Sequence, residues 1–93
     1  MTNSIVDSLL DITFSGIINI ILDEINDMIN QQHNLLYIDL NDKRYRQLDE
    51  IYNHYISNIC KKIHDRSSGI IIDYGTDPIY RNHFIRITKN NGK

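Results

Sequence analysis

NDKRYRQLDEIYNHYISNICKKIHDRSSGIIIDY, residues 41–74, decides the fold class, because the spacing of its apolar residues changes partway along it. Tyr45, Leu48, Tyr52, Tyr55 and Ile59 recur at intervals of 3, 4, 3 and 4, which is one face of an α-helix. Ile51, Ile56, Cys60 and Ile63 widen that face, and charged or amide residues fill the other. Asp39, Asn41 or Asp42 offers an N-cap, and Lys61, Lys62, His64 and Arg66 stand in the last turns, where the helix dipole favours cations. The spacing predicts one long amphipathic helix over 41–66, ended at Ser67-Ser68-Gly69.

Beyond Gly69 the period falls to two. Gly69-Ile70-Ile71-Ile72-Asp73-Tyr74 is short, β-branched and bounded by glycines, hence a strand. Gly75-Thr76-Asp77-Pro78 reads as a turn or loop. A second strand is expected over 79–89, most clearly His83–Lys89, with Ile85 and Ile87 facing one way and Phe84, Arg86 and Thr88 the other. The two strands should pair as a C-terminal antiparallel hairpin, followed by a frayed tail from Asn90.

Upstream, residues 3–12 read as a helix that starts on Ser4 and Asp7 in a capping-box arrangement. Thr13-Phe14-Ser15-Gly16 is poor helix material, so residues 3–31 form either one kinked helix or two. Phe14, Ile18, Ile21, Ile25 and Met28 repeat at 4, 3, 4 and 3, with Ile17, Ile20, Leu22 and Ile29 beside them. That is more apolar surface than one neighbouring helix covers, and a homodimer interface through those five residues accounts for it. Residues 30–34 are a polar loop, and Leu35-Leu36-Tyr37-Ile38 reads as a short strand. The expected architecture is α+β: one or two N-terminal helices, a long central amphipathic helix and a small antiparallel sheet, in a single domain over 1–93.

Composition adds two points. Ile occurs 19 times and Asn 11 times, while Ala is absent, a pattern expected of a low-GC genome: a virus, a phage or plasmid, or an AT-rich bacterium or protist. Helices rich in Ile and without Ala depend on packing rather than on intrinsic propensity. Residues 1–42 carry seven acids and no Lys or Arg, whereas residues 43–93 carry all ten basic residues and five acids. The net charge of −2 therefore hides halves of −7 and +5, which attract one another or present a basic half to an anionic partner.

Chemistry finds little purchase. One cysteine excludes an internal disulfide. Cys60 and His64 lie at i, i+4 on a helix but do not make a metal site without further ligands, and Cys60 sits too late in its helix for an activated nucleophile. Asp73 and Asp77 lack the additional carboxylate and placed lysine of a nuclease. No Gly-rich phosphate loop, GxSxG, HExxH or CxxC occurs. The chain is expected not to be an enzyme and to need no cofactor. No stretch of about 18 apolar residues predicts a membrane span, and the start MTNSIVDSLLD has no basic region of a signal peptide, so a cytoplasmic protein is expected.

The main expectation is a small protein-interaction module, an inhibitor or adaptor of viral or phage type that occludes a host protein's functional surface. Its partner-binding candidates are Lys43, Arg44, Arg46, Arg81, His83 and Arg86. Lys43, Arg44 and Arg46 open the long helix, where cations oppose the dipole. The alternative is a nucleic-acid-binding regulator using helix 41–66 and hairpin 70–89, where Tyr80 and Phe84 interleave with Arg81, His83 and Arg86. A pI near 6.0 weighs against it.

Overall fold

The computed structural model describes residues 2–90, without the side chains of residues 2–4 and Asp7. The elements run α1 (Thr2–Asn30), β1 (Leu35–Asp39), a 3-10 turn (Lys43–Tyr45), α2 (Arg46–Glu50), α3 (Tyr52–Arg66), β2 (Ile70–Thr76) and β3 (His83–Lys89). This is the α+β arrangement that the periodicities predict. The expected Ser4–Asp7 capping box and the tail beyond Asn90 lie outside the described residues. Asn90 itself is not frayed: its N–H donates to the Gly69 carbonyl at 2.9 Å, closing the end of the hairpin.

α1 is one unbroken helix, not two. Phe14, Ile17 and Ile18 flank Gly16 in sequence and are buried, so packing outweighs the cost of about 1 kcal/mol that glycine imposes inside a helix. The helix ends in a Schellman-type cap: His33 N–H donates to the Met28 carbonyl and Gln32 N–H to that of Ile29, with Gln32 in the left-handed region at φ 61°.

The predicted 41–66 helix is broken. Asp42 caps the 3-10 turn through its carboxylate and the Arg44 N–H, and Ile51 interrupts the helix at φ −105°, ψ 9°. The bend lets Tyr45 and Leu48 be buried ahead of it while Ile56, Ile59, Cys60 and Ile63 form the buried line of α3. Tyr52 and Tyr55, expected on the central stripe, are half-buried and exposed respectively. A 3.6-residue period runs through such a bend without a break, so spacing alone does not reveal it.

β3 is the central strand of a three-stranded antiparallel sheet in the order β1-β3-β2. β1 and β2 run parallel to one another with β3 inserted between them, the split form of a β-α-β unit. The strand expected from residue 79 begins only at His83, because Asp77–Asn82 form the hairpin loop: Asp77 Oδ1 accepts from the N–H groups of Ile79 and Tyr80.

Both long helices pack on one face of the sheet, α1 against β1 and α3 against β2. Ile38, Ile70, Ile85 and Ile87 meet the helices there, with Leu36 and Ile72 partly buried beside them. The face of α1 expected to meet a second chain is used inside this one: Ile18, Ile21 and Ile25 are 0% exposed, and Phe14 and Met28 are 7% and 4%. Those five residues are core within the single chain, which itself accounts for the apolar surface that the spacing leaves over. The halves of opposite charge attract within the chain, where Asp11 pairs with Lys62 (3.2 Å) and Arg66 (2.6 Å), and Glu24 with Arg44 (3.5 Å).

Candidate interaction surface

Alternation along the strands sends every second side chain to the face of the sheet that no helix covers. Cross-strand register arranges these residues in three rows: Leu35, Thr88 and Ile71; Tyr37, Arg86 and Asp73; Asp39, Phe84 and Gly75. Leu35, Tyr37 and Ile71 are each about half exposed. Tyr37 and Phe84 stack with ring centroids 5.2 Å apart and planes 26° from parallel. The Arg86 guanidinium lies 5.9 Å from the Phe84 ring and binds Asp73 at 2.8 Å. Gly75 leaves room for that ring, since a Cβ there would come within 3.1 Å of Phe84 Cζ. The face is thus an aromatic and aliphatic platform around one neutralised ion pair.

At the Asp39 end the platform opens into a groove of about 620 Å³ lined by Tyr37, Asp39, Asn41, Asp77, Tyr80 and Asn82. Asp39 Oδ1 accepts from Asn41 N–H (2.8 Å) and Asn82 Nδ2 (2.9 Å), so the groove wall joins β1 to the hairpin loop. The bonds on Asp39 and Asp77 use Oδ1 in each case, which leaves Oδ2 of both carboxylates to meet a further donor. Ile79 and Tyr80 stand almost fully exposed on the loop tip.

The six basic candidates do not share a surface. Arg86 is on the platform. Arg81 is in the hairpin loop, in the left-handed region at φ 63°. Lys43 and Arg46 are exposed on the turn after β1, where Arg44 is held by Asp42 and Glu24 and lies over the Tyr45 ring. His83 faces the helices: its ring stacks on Tyr52 of α3 at 3.7 Å and 5°, and its Nδ1 bonds Thr76 Oγ1 at 2.9 Å. His83 therefore positions β3 against α3 and is not on the open face. Charge directs the choice of candidates from the sequence, so Leu35, Tyr37 and Ile71 escape it, and Tyr80 enters only as an aromatic neighbour of the basic residues. Alternation groups Leu35 with Tyr37, but whether that side is covered depends on where the helices land.

Catalytic chemistry finds no foothold at Cys60, whose thiol is pushed up to about 12 by burial first and by Asp73 second. It is the opposite of an activated thiolate. Among the described residues no three His, Cys, Asp or Glu side chains are placed to hold a metal ion, and no helix is long and apolar enough to cross a membrane. Comparison with protein-family models, with curated proteins and with solved structures finds no match for this chain.

Proposed function

We propose that this chain is a non-enzymatic protein-interaction module that binds its partner with the open face of the sheet. The observation that carries the reading is the platform itself, with Leu35, Tyr37, Ile71 and Phe84 on an uncovered sheet face next to a groove. Aromatic anchors beside a pocket are what protein interfaces concentrate their energy on. The groove carries Asp39 and Asp77 between two tyrosines, a setting that fits a lysine or arginine side chain of the partner. Binding there would occlude the partner's own surface, the action of a small inhibitor or adaptor. The AT-rich composition favours a viral or phage source and a host protein as partner, met in the cytoplasm.

The test is affinity capture from host extract with the wild-type chain, Ile71→Asp and Asp39→Asn in parallel. A specific protein retained by the wild type and lost with Ile71→Asp supports the reading. A partner retained equally by all three chains overturns it.

A second reading has one observation in its favour. The stacked Tyr37 and Phe84, with the Arg86 guanidinium over the Phe84 ring, are of the type that holds single-stranded nucleic acid. The charge of the surface opposes it, since Arg86 is matched by Asp73 and the groove adds Asp39 and Asp77. Fluorescence anisotropy with random single strands at about 50 and about 200 mM salt separates the two, because phosphate-driven binding collapses over that range.

A further inference from the structure

We propose that the chain also pairs with a second copy of itself, through the back of α1, in an antiparallel arrangement. Ile5, Leu9, Ile12 and Ile20 are 67%, 57%, 76% and 37% exposed. At 100° per residue they form one strip with Gly16, on the side of the helix opposite the core line of Phe14, Ile21 and Ile25. A surface helix normally keeps that side polar or charged. Here the only charged residue between positions 8 and 22 is Asp11, and its carboxylate is turned to Lys62 and Arg66 of α3. The strip is on the order of 400 Å², within the range of the largest apolar patch on a typical single chain, which is often a functional one. Ser8, Thr13 and Asn19 give it an exposed polar rim, and the patch is the size of a small, concentration-dependent interface rather than of the roughly 800 Å² a side that a standard one buries.

A second copy fits the strip because the strip is complementary to itself. An antiparallel pair with its two-fold axis beside Ile12 sets Ile5 against the partner's Ile20 and Leu9 against the partner's Gly16. Gly16 has no atom within 4 Å of where a Cβ would stand, so it leaves a slot for the leucine. Farther along the same line the helix carries the exposed Asp23 and Asp27. The antiparallel register brings Asp23 beside the first turn of the partner helix, where the dipole favours an anion. A parallel pair would instead gather four carboxylates. This interface is independent of whatever the sheet binds, since the sheet packs on the other side of α1.

Sedimentation equilibrium at about 100 µM is expected to return twice the 11.0 kDa chain mass. Ile12→Glu and Gly16→Leu should each weaken the dimer by at least about tenfold, the first by burying a charge and the second by filling the slot. Both positions are exposed in the single chain, so the helical circular dichroism should persist, and Gly16→Leu raises helix propensity. Ile12→Cys should cross-link under oxidation, whereas Ile5→Cys should not. A single-chain mass for the wild type overturns the proposal, as does a dimer that survives both variants, or cross-linking by Ile5→Cys in place of Ile12→Cys.

Discussion

The Tyr45 phenol donates a hydrogen bond to the Glu24 carboxylate, and this contact ties the turn after β1 to the first helix across 21 residues of sequence. Burial, and then Glu24, raise the Tyr45 phenol well above its ordinary value. Cys60, also buried, is raised to about 12. Both groups stay protonated in the folded chain after the unfolded chain has begun to lose the same protons, near pH 8.5 for cysteine and about 10 for tyrosine. Their contribution is complete below those values and is lost as pH rises. Stability should therefore begin to fall above about pH 8.5 and fall faster above about pH 10. Urea melts between pH 7 and 11 check this, and Tyr45→Phe should flatten the upper part of the slope.

The buried face of α1 and its exposed back should respond oppositely to truncation. Ile21→Ala opens a cavity at a fully buried site and is expected to cost roughly 2–5 kcal/mol, a large share of the stability of so short a chain. Leu9→Ala on the back should cost less than about 1 kcal/mol in the single chain. Urea midpoints measured on dilute protein distinguish the two. Equal losses would contradict the placement of the core.

Gln32 occupies a left-handed position that glycine takes without strain. Gln32→Gly should stabilise the chain by about 0.5–1 kcal/mol, visible as a raised thermal midpoint. The same reasoning makes Gly69, at φ 78°, intolerant: Gly69→Val should destabilise at the junction of α3 and β2.

Cys60 should be silent to thiol reagents in the native protein and react only as the chain opens. Its labelling rate should then rise with urea in parallel with unfolding. Rapid labelling in native buffer would show that the α3 core line is not closed.

Gly75→Val should act on the platform more than on the fold. The added side chain would push the Phe84 ring from the space above Gly75 and break its stack on Tyr37. Partner binding should fall at least about tenfold while the thermal midpoint changes little. Loss of both together would place Phe84 in the fold's support.

The basic candidates show the limit of reading charge from a sequence. Arg86 and Phe84 could be assigned to the side opposite Ile85 and Ile87 by alternation alone, and the structure bears this out. His83 could not be separated from them, because only the tertiary fold brings Tyr52 of α3 over its ring. In the sequence Lys43, Arg44 and Arg46 stand unbalanced at a helix start. In the structure Asp42 caps that turn and, with Glu24 from the far side of the sequence, holds Arg44.

By itself the sequence determined the α+β class, the hairpin, the strand at Leu35–Ile38, the stop at Gly69 and the helical character of the first thirty residues. Each of these rests on a local period or a local backbone preference, which neighbours in sequence fix. Tertiary structure decided the rest. It broke the central helix at Ile51, placed β1 beyond β3, and left the Leu35–Tyr37 side of the sheet open. It also chose between the two apolar faces of α1, drawing in Phe14, Ile18, Ile21, Ile25 and Met28 and leaving Ile5, Leu9 and Ile12 outside. A period says which residues share a face. Which face is covered depends on contacts between elements far apart in the chain, and no local pattern records them.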